Sequence, residues 1–163
     1  MKIKLSKEPW ELNDYKIEYN NPITSFDISK VSLHLEPEQK DGYIKGNILA
    51  ERLKDKSLNS TALKYLLDNP KLIPEAWKGK YVYFWGTIYR DADGFLYVRC
   101  LDWRGGRWVS DYRWLGGGWG VSNPSALLAS PKSSDPESSL SLSALSSRVE
   151  KLEDWARKLN YKN

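Results

Sequence analysis

Apolar and polar residues alternate most regularly between residues 81 and 115, and the pattern there is one of strands. Val82, Phe84 and Ile88 fall on one face of a first strand, and Tyr81, Tyr83, Trp85 and Tyr89 on the other. The run Asp91-Ala92-Asp93-Gly94 predicts a tight turn, with Gly94 at the position that needs positive φ. In the second strand Leu96, Val98 and Cys100 share one face, and Phe95, Tyr97, Arg99 and Leu101 share the other. Arg104-Gly105-Gly106 predicts the next turn and residues 108–115 a third strand, after which Gly116-Gly117-Gly118-Trp119-Gly120 breaks regular structure as a loop or a rim of the binding surface.

Upstream the period changes. Ile48, Leu49 and Leu53 suit a helix over about residues 46–54, and Leu63, Leu66 and Leu67 one over 59–68. Asn59 or Ser60 can accept a hydrogen bond from the first turn of that second helix, and Asn69-Pro70 ends it. Residues 73–77 fit one more helical turn opened by Pro74. Ile17 with Tyr19, and residues 31–35, alternate as short strands, and residues 37–42 have turn composition.

These elements predict an α+β domain over residues 1–129: a small aromatic-rich antiparallel sheet, open or closed into a barrel, beside two short helices. Residues 130–141 open a stretch of linker composition, since nine of the eighteen residues from Ser130 to Ser147 are serine. A coiled-coil helix is expected over 142–160. Leu142, Val149 and Ala156 take a positions and Leu145, Leu152 and Leu159 take d, while Arg148 at g and the following Glu153 at e suit an interhelical ion pair. Residues 148–153 also resemble the short trimerisation motif of parallel coiled coils, and Ser147 with Glu150 reads as a capping box that would shorten the seam. The expectation is a homo-oligomer, a trimer ahead of a dimer, against the plainer alternative of a helix folded back on its own domain.

Composition narrows the functional classes. Thirteen of the twenty-one Trp, Tyr and Phe residues lie between Trp77 and Trp119. A sheet needs one apolar face to fold, so rings on both faces are either core packing or an offered surface. As a surface, the candidate binding residues are Tyr83, Trp85, Tyr89, Tyr97, Arg99 and Trp108. Bases, sugars and proline-rich peptides all stack on such rings. Net charge is +4, which permits nucleic acid without requiring it. Arg90, Arg99, Arg104, Arg107 and Arg113 would supply the phosphate contacts of a single-stranded nucleic-acid binder.

Catalytic signals are sparse. His34 is the single histidine and Cys100 the single cysteine, so no zinc cluster is expected and no cofactor is implied. Cys100 falls on the apolar face of its strand and reads as an inert thiol. Asp102 and Asp111 would be the carboxylate pair of a glycosidase acting beside a sugar platform. One cysteine, no signal-peptide core and no membrane-length apolar run lead to the expectation of a cytoplasmic protein with no membrane contact. The first reading is therefore a non-enzymatic protein-interaction module with an unknown protein partner. Single-stranded nucleic-acid binding comes second, carbohydrate binding or a glycosidase third.

A resemblance adds to the domain boundary alone. Leu66-Leu67-Asp68-Asn69-Pro70, residues 73–79, residues 84–91, Asp93-Gly94, Tyr97-Val98-Arg99, Gly105-Gly106-Arg107-Trp108 and Asn123-Pro124 resemble a family of small hypothetical proteins from uncultivated, reduced-genome bacteria, over about residues 33–130. The resemblance implies that helices and sheet form one unit, with the serine-rich tail and its heptads outside it. It implies no activity and no binding residue.

Overall fold

Nine residues of one strand, β6 (Val82–Arg90), organise the molecule, because that strand meets three others. The computed structural model describes residues 2–129. Its remaining strands are β1 (Ile3–Lys4), β2 (Lys16–Asn20), β3 (Ser25–Phe26), β4 (Ser32–His34), β5 (Ile44–Lys45), β7 (Leu96–Arg104), β8 (Arg107–Trp114), β9 (Gly118–Trp119) and β10 (Ser125–Leu127). The helices are α1 (Pro37–Asp41), α2 (Gly46–Leu53) and α3 (Ser60–Asp68). A 3-10 turn spans Glu75–Trp77 after Pro74.

The main sheet runs β4-β10-β6-β7-β8. β7 lies antiparallel along one side of β6 and β8 lies antiparallel to β7. The other side of β6 is divided: β10 pairs with it in parallel at Tyr83, and β2 pairs antiparallel from Thr87 to Arg90. The sheet is open, ending at β4 and β8, so of the two predicted forms it is not the barrel.

Where β10 gives way to β2, β6 bulges. Phe84 faces Arg99 and Ile88 faces Val98, so Trp85, Gly86 and Thr87 are three extra residues on the β6 side. The loop of residues 57–59 fills the gap. Ser57 Oγ accepts the Trp85 N–H at 2.8 Å and the Leu58 carbonyl accepts the Gly86 N–H at 3.0 Å. A Cβ on Gly86 would lie 2.7 Å from that carbonyl oxygen, so the close approach of the two backbones requires glycine.

The bulge corrects the predicted faces. Val82 and Phe84 join Leu101, Leu58 and α3 (Ala62, Leu63, Leu66) in one core, whereas Ile88 joins Tyr83, Trp85, Val98 and Cys100 under α2 (Leu49, Ala50, Leu53) in the other. Strict alternation fails for Ile88 and Tyr89 because an odd number of extra residues reverses the side-chain parity. Both faces of the sheet are therefore covered, α3 and the N-terminal strands on one and α2 with Trp119 on the other.

The two helices form where the apolar spacing predicts them, and Asn59 Oδ1 accepts the Ala62 N–H as the N-cap of α3. Asn59 itself is buried, its amide donating to the Asn21 carbonyl. Residues 37–41, expected as a loop, make one turn of helix: Pro37 opens it and the Gln39 side chain accepts the Glu36 N–H. The glycine-rich run is also not merely loop. Gly118–Trp119 pairs with β5, and Trp119 is wholly buried against Gly46, where a Cβ would fall 2.3 Å from the indole. Met1–Ala129 forms one compact unit. The predicted linker 130–141 and the heptad residues Leu142, Leu145, Arg148, Val149, Leu152, Glu153, Ala156 and Leu159 lie outside the described residues. Among the described residues no helix is long and apolar enough to cross a membrane.

Candidate functional site

The six sequence-predicted binding residues do not make one open platform. Tyr83 and Trp85 are buried under α2, with Trp85 Nε1 donating to Ser125 Oγ at 2.9 Å and the two rings stacked 5.9 Å apart. Tyr89 is buried on the opposite face and donates its hydroxyl to the Trp10 carbonyl at 2.6 Å. Each such ring removes roughly 150–250 Å² from water, worth on the order of 4–6 kcal/mol at the usual transfer coefficient, so these three rings serve the fold.

Arg99 is 7 % exposed and makes no ion pair among the described residues. Its guanidinium lies 3.6 Å from the centre of the Trp10 ring, Nε donates to the Tyr89 hydroxyl at 3.0 Å and Nη2 to the Glu11 carbonyl at 2.5 Å. It clamps the N-terminal segment onto the sheet through a cation–π contact and two hydrogen bonds. Trp108 is half-buried. It meets Trp103 edge-on at 5.3 Å, and Lys78 Nζ stands 3.8 Å above the Trp103 ring.

The exposed rings are different ones. At the far end of the β7–β8 pair, Tyr97 lies directly opposite Trp114, and Arg99 opposite Tyr112. Tyr15, from the segment before β2, stacks on Tyr97 at 5.1 Å and meets Tyr112 edge-on at 6.1 Å. Tyr97 and Tyr112 are 5.9 Å apart, and Phe95 meets Trp114 at 6.2 Å. Phe95 and Trp114 are each 50 % exposed and Tyr112 is 38 % exposed. Trp114 leans on the backbone of Gly116, where a Cβ would come within 2.1 Å of the ring. Only Tyr97 of the six predicted residues belongs to this cluster; Tyr15, Phe95, Tyr112 and Trp114 were missed. Parity was the available signal, since Tyr97, Tyr112 and Trp114 share a face once β7 and β8 are paired at the Gly105-Gly106 turn.

Asp91 fixes that end of the hairpin. Its Oδ1 accepts the Asp93 and Phe95 N–H groups at 3.0 and 2.9 Å, and Oδ2 accepts the Tyr97 hydroxyl at 3.1 Å. Desolvation, then the Asp91 carboxylate, pushes the Tyr97 phenol up to about 12. Tyr97 therefore presents a neutral ring and hydroxyl across the physiological range.

The other chemical groups are engaged. Arg90 pairs with Glu18, and Arg113 donates to the Gly118 carbonyl at 2.8 Å while lying 4.3 Å from the Trp119 ring centre. Arg104 Nη2 reaches both Asp102 at 3.1 Å and Asp111 at 3.5 Å, so the two carboxylates meet on one guanidinium. Burial, followed by Asp102 and Asp111, pushes the Cys100 thiol up to about 12, which leaves it protonated and unreactive at neutral pH. His34 Nε2 is 2.5 Å from Glu36, and Arg52 bridges Glu36 and Glu38 at 2.9 Å each. Burial raises the Glu36 pKa, but hydrogen bonds from His34 and Arg52 outweigh it and hold the carboxyl below its usual range. Among the described residues no group of three or more His, Cys, Asp or Glu side chains could hold a metal ion. A depression of about 460 Å³ opens between residues 6–11, Trp10 included, and Thr61 and Lys64 of α3.

No protein-family model, curated protein or solved structure matches this chain.

Proposed function

We propose that this chain is a non-enzymatic protein-interaction module. In this reading the ring cluster of Tyr15, Phe95, Tyr97, Tyr112 and Trp114 takes an apolar or proline-containing segment of a partner protein. The observation that carries it is a ring cluster in which Phe95, Tyr112 and Trp114 are exposed and Tyr15 and Tyr97 half-buried, held by Asp91, Gly116 and cross-strand pairing rather than by a surrounding core. The heptads of residues 142–160 multiply a weak single contact by gathering copies, a trimer ahead of a dimer, in the reducing cytosol. The common origin of residues 33–130 with the small hypothetical proteins they resemble belongs to the same proposal.

Single-stranded nucleic acid is the second ligand class. Its support is weaker because, of Arg90, Arg99, Arg104, Arg107 and Arg113, only Arg107 lacks a partner among the described residues. The two classes separate in one pair of titrations. A peptide selected from a displayed library should bind the wild type, lose affinity when Tyr112 and Trp114 become Ser, and change little between 50 and 200 mM salt. A 15-nucleotide single strand should bind weakly. Tight oligonucleotide binding with a steep salt slope, weakened by the ring substitutions, together with failure to select a peptide, would reverse the order. For the heptads, deletion of residues 135–163 should leave a folded domain that runs as a monomer at micromolar concentration in light scattering. A truncated form that keeps its full-length mass sinks the coiled-coil part.

A further inference from the structure

We propose that β8 is a homotypic edge: two copies of this chain pair antiparallel through it, about a two-fold axis at Val109, extending the sheet from one molecule into the next. The inference concerns how copies meet and is independent of what the rings bind.

β8 has β7 on one side and no strand on the other among the described residues. The Gly105-Gly106 turn, with φ of 63° and 79°, is the two-residue type I′ form, whose closing pair Arg104–Arg107 is hydrogen-bonded. Alternation then turns the N–H and C=O groups of Arg107, Val109, Asp111 and Arg113 toward β7, and those of Trp108, Ser110, Tyr112 and Trp114 outward. One of the outward donors is already taken, since the Tyr112 N–H bonds Asp111 Oδ1 at 2.8 Å. The Trp114 carbonyl is also taken, by the Gly117 N–H at 3.4 Å, so Trp108 and Ser110 are left as the pair with both donors and acceptors open.

A two-fold axis at Val109 uses only that pair. Trp108 of each copy faces Ser110 of the other, making four backbone hydrogen bonds without the Tyr112 N–H. On the opposite face Val109 meets Val109, flanked on both sides by Arg107 against Asp111. Arg107 is exposed without a partner among the described residues, and the Asp111 side chain is 53 % exposed. The charges favour this register, since centring on Trp108 would set Arg107 against Val109 and pair no opposite charges. Centring on Ser110 would set Arg107 against Arg113, and centring on Asp111 would set it against itself, both like-charge contacts. Centring on Tyr112 satisfies the charges but needs the occupied N–H. Isolated charges usually guard an edge strand against pairing; here their order is self-complementary at a register whose backbone donors are also open. The same register brings a second indole beside Ser110, whose buried hydroxyl has no partner among the described residues.

Four hydrogen bonds and two ion pairs make a weak contact alone, so the tail heptads would matter by raising the local concentration. The test uses the full chain. In Val109→Cys the two cysteines would face each other with Cα atoms about 4.5 Å apart, within disulfide reach. Mild oxidation should give a dimer linked at residue 109, whereas Asp111→Cys should not link to itself; the native Cys100 is buried and common to both. Arg107→Asp and Asp111→Arg, added singly to Val109→Cys, each replace two opposite-charge contacts by like ones and should lower the linked fraction about 10-fold. Mixing those two variants should restore it, because only the mixed pair is complementary. Linking at 111 in preference to 109, absence of linking at 109, or failure of the mixture to recover overturns the register. Because the cysteine result at high protein concentration does not need the tail, it is separable from the fate of the coiled coil.

Discussion

Two ring pairs at the central sheet have opposite surroundings. Trp85 and Trp119 meet at 5.3 Å with no surface exposed, while Phe95 and Trp114 meet at 6.2 Å with half of each exposed. Both pairs lie beside glycines, Trp119 between Gly118 and Gly120 and Phe95 after Gly94. What separates them is cover. α2 and the Gly46 contact seal the first pair, and among the described residues the sheet beyond Arg99 carries the short segment around Tyr15. Ring density thus marks where a sheet is, and the packing of the neighbouring elements decides which rings remain available.

The comparison breaks most readily at its buried side. Trp85→Ala removes a fully buried indole and leaves the Ser125 hydroxyl without its donor, so it should cost about 3–5 kcal/mol in urea unfolding. Gly86→Ala should cost about 1–3 kcal/mol, because its Cβ meets the backbone of Leu58 and Asn59 rather than a side chain that can turn aside. Unfolding midpoints unchanged by either substitution would mean that the bulge and its filling loop do not hold the α2 face.

Cys100 tests the same face through pH. Its folded pKa is raised to about 12 from an ordinary value of 9.0, so its contribution is complete below pH 9 and is lost as pH rises toward 12. Above pH 9 the loss should approach about 1.4 kcal/mol per pH unit. Comparing wild type with Cys100→Ala between pH 8.5 and 10 isolates that slope from the raised tyrosines, and equal slopes would show the thiol to be wetter than its position implies.

How far the sequence carried this picture depends on element length. The amphipathic spacing of Leu49 and Leu53, and of Leu63 and Leu66, marked α2 and α3, and Asn59 was legible as a cap. The Asp91–Gly94 and Gly105-Gly106 turns set the β6–β7–β8 order. Strands of two or three residues, such as β5, β9 and β10, have no period to read, so the burial of Trp119 by β5 pairing was invisible. Gly86 inside a strand pattern was a signal for a bulge. Unused, it left Ile88 and Tyr89 on the wrong faces and Tyr83, Trp85 and Tyr89 in a platform that the fold buries.

The smallest effect is expected at the exposed pair, and its smallness is the point. Changing Tyr112 and Trp114 to Ser removes three half-solvated ring contacts worth roughly 0.2–1 kcal/mol each, with no cavity left behind. Stability should therefore fall less than in Trp85→Ala, although three ring–ring contacts are lost. A rigid ring that contributes little to the fold yet is held in place by Asp91 and by the bare backbone of Gly116 has its surface free for another molecule. If the double variant instead unfolds as readily as Trp85→Ala, the far rings are core that happens to touch water, and the distinction between the two ends of the sheet disappears together with the binding surface built on it.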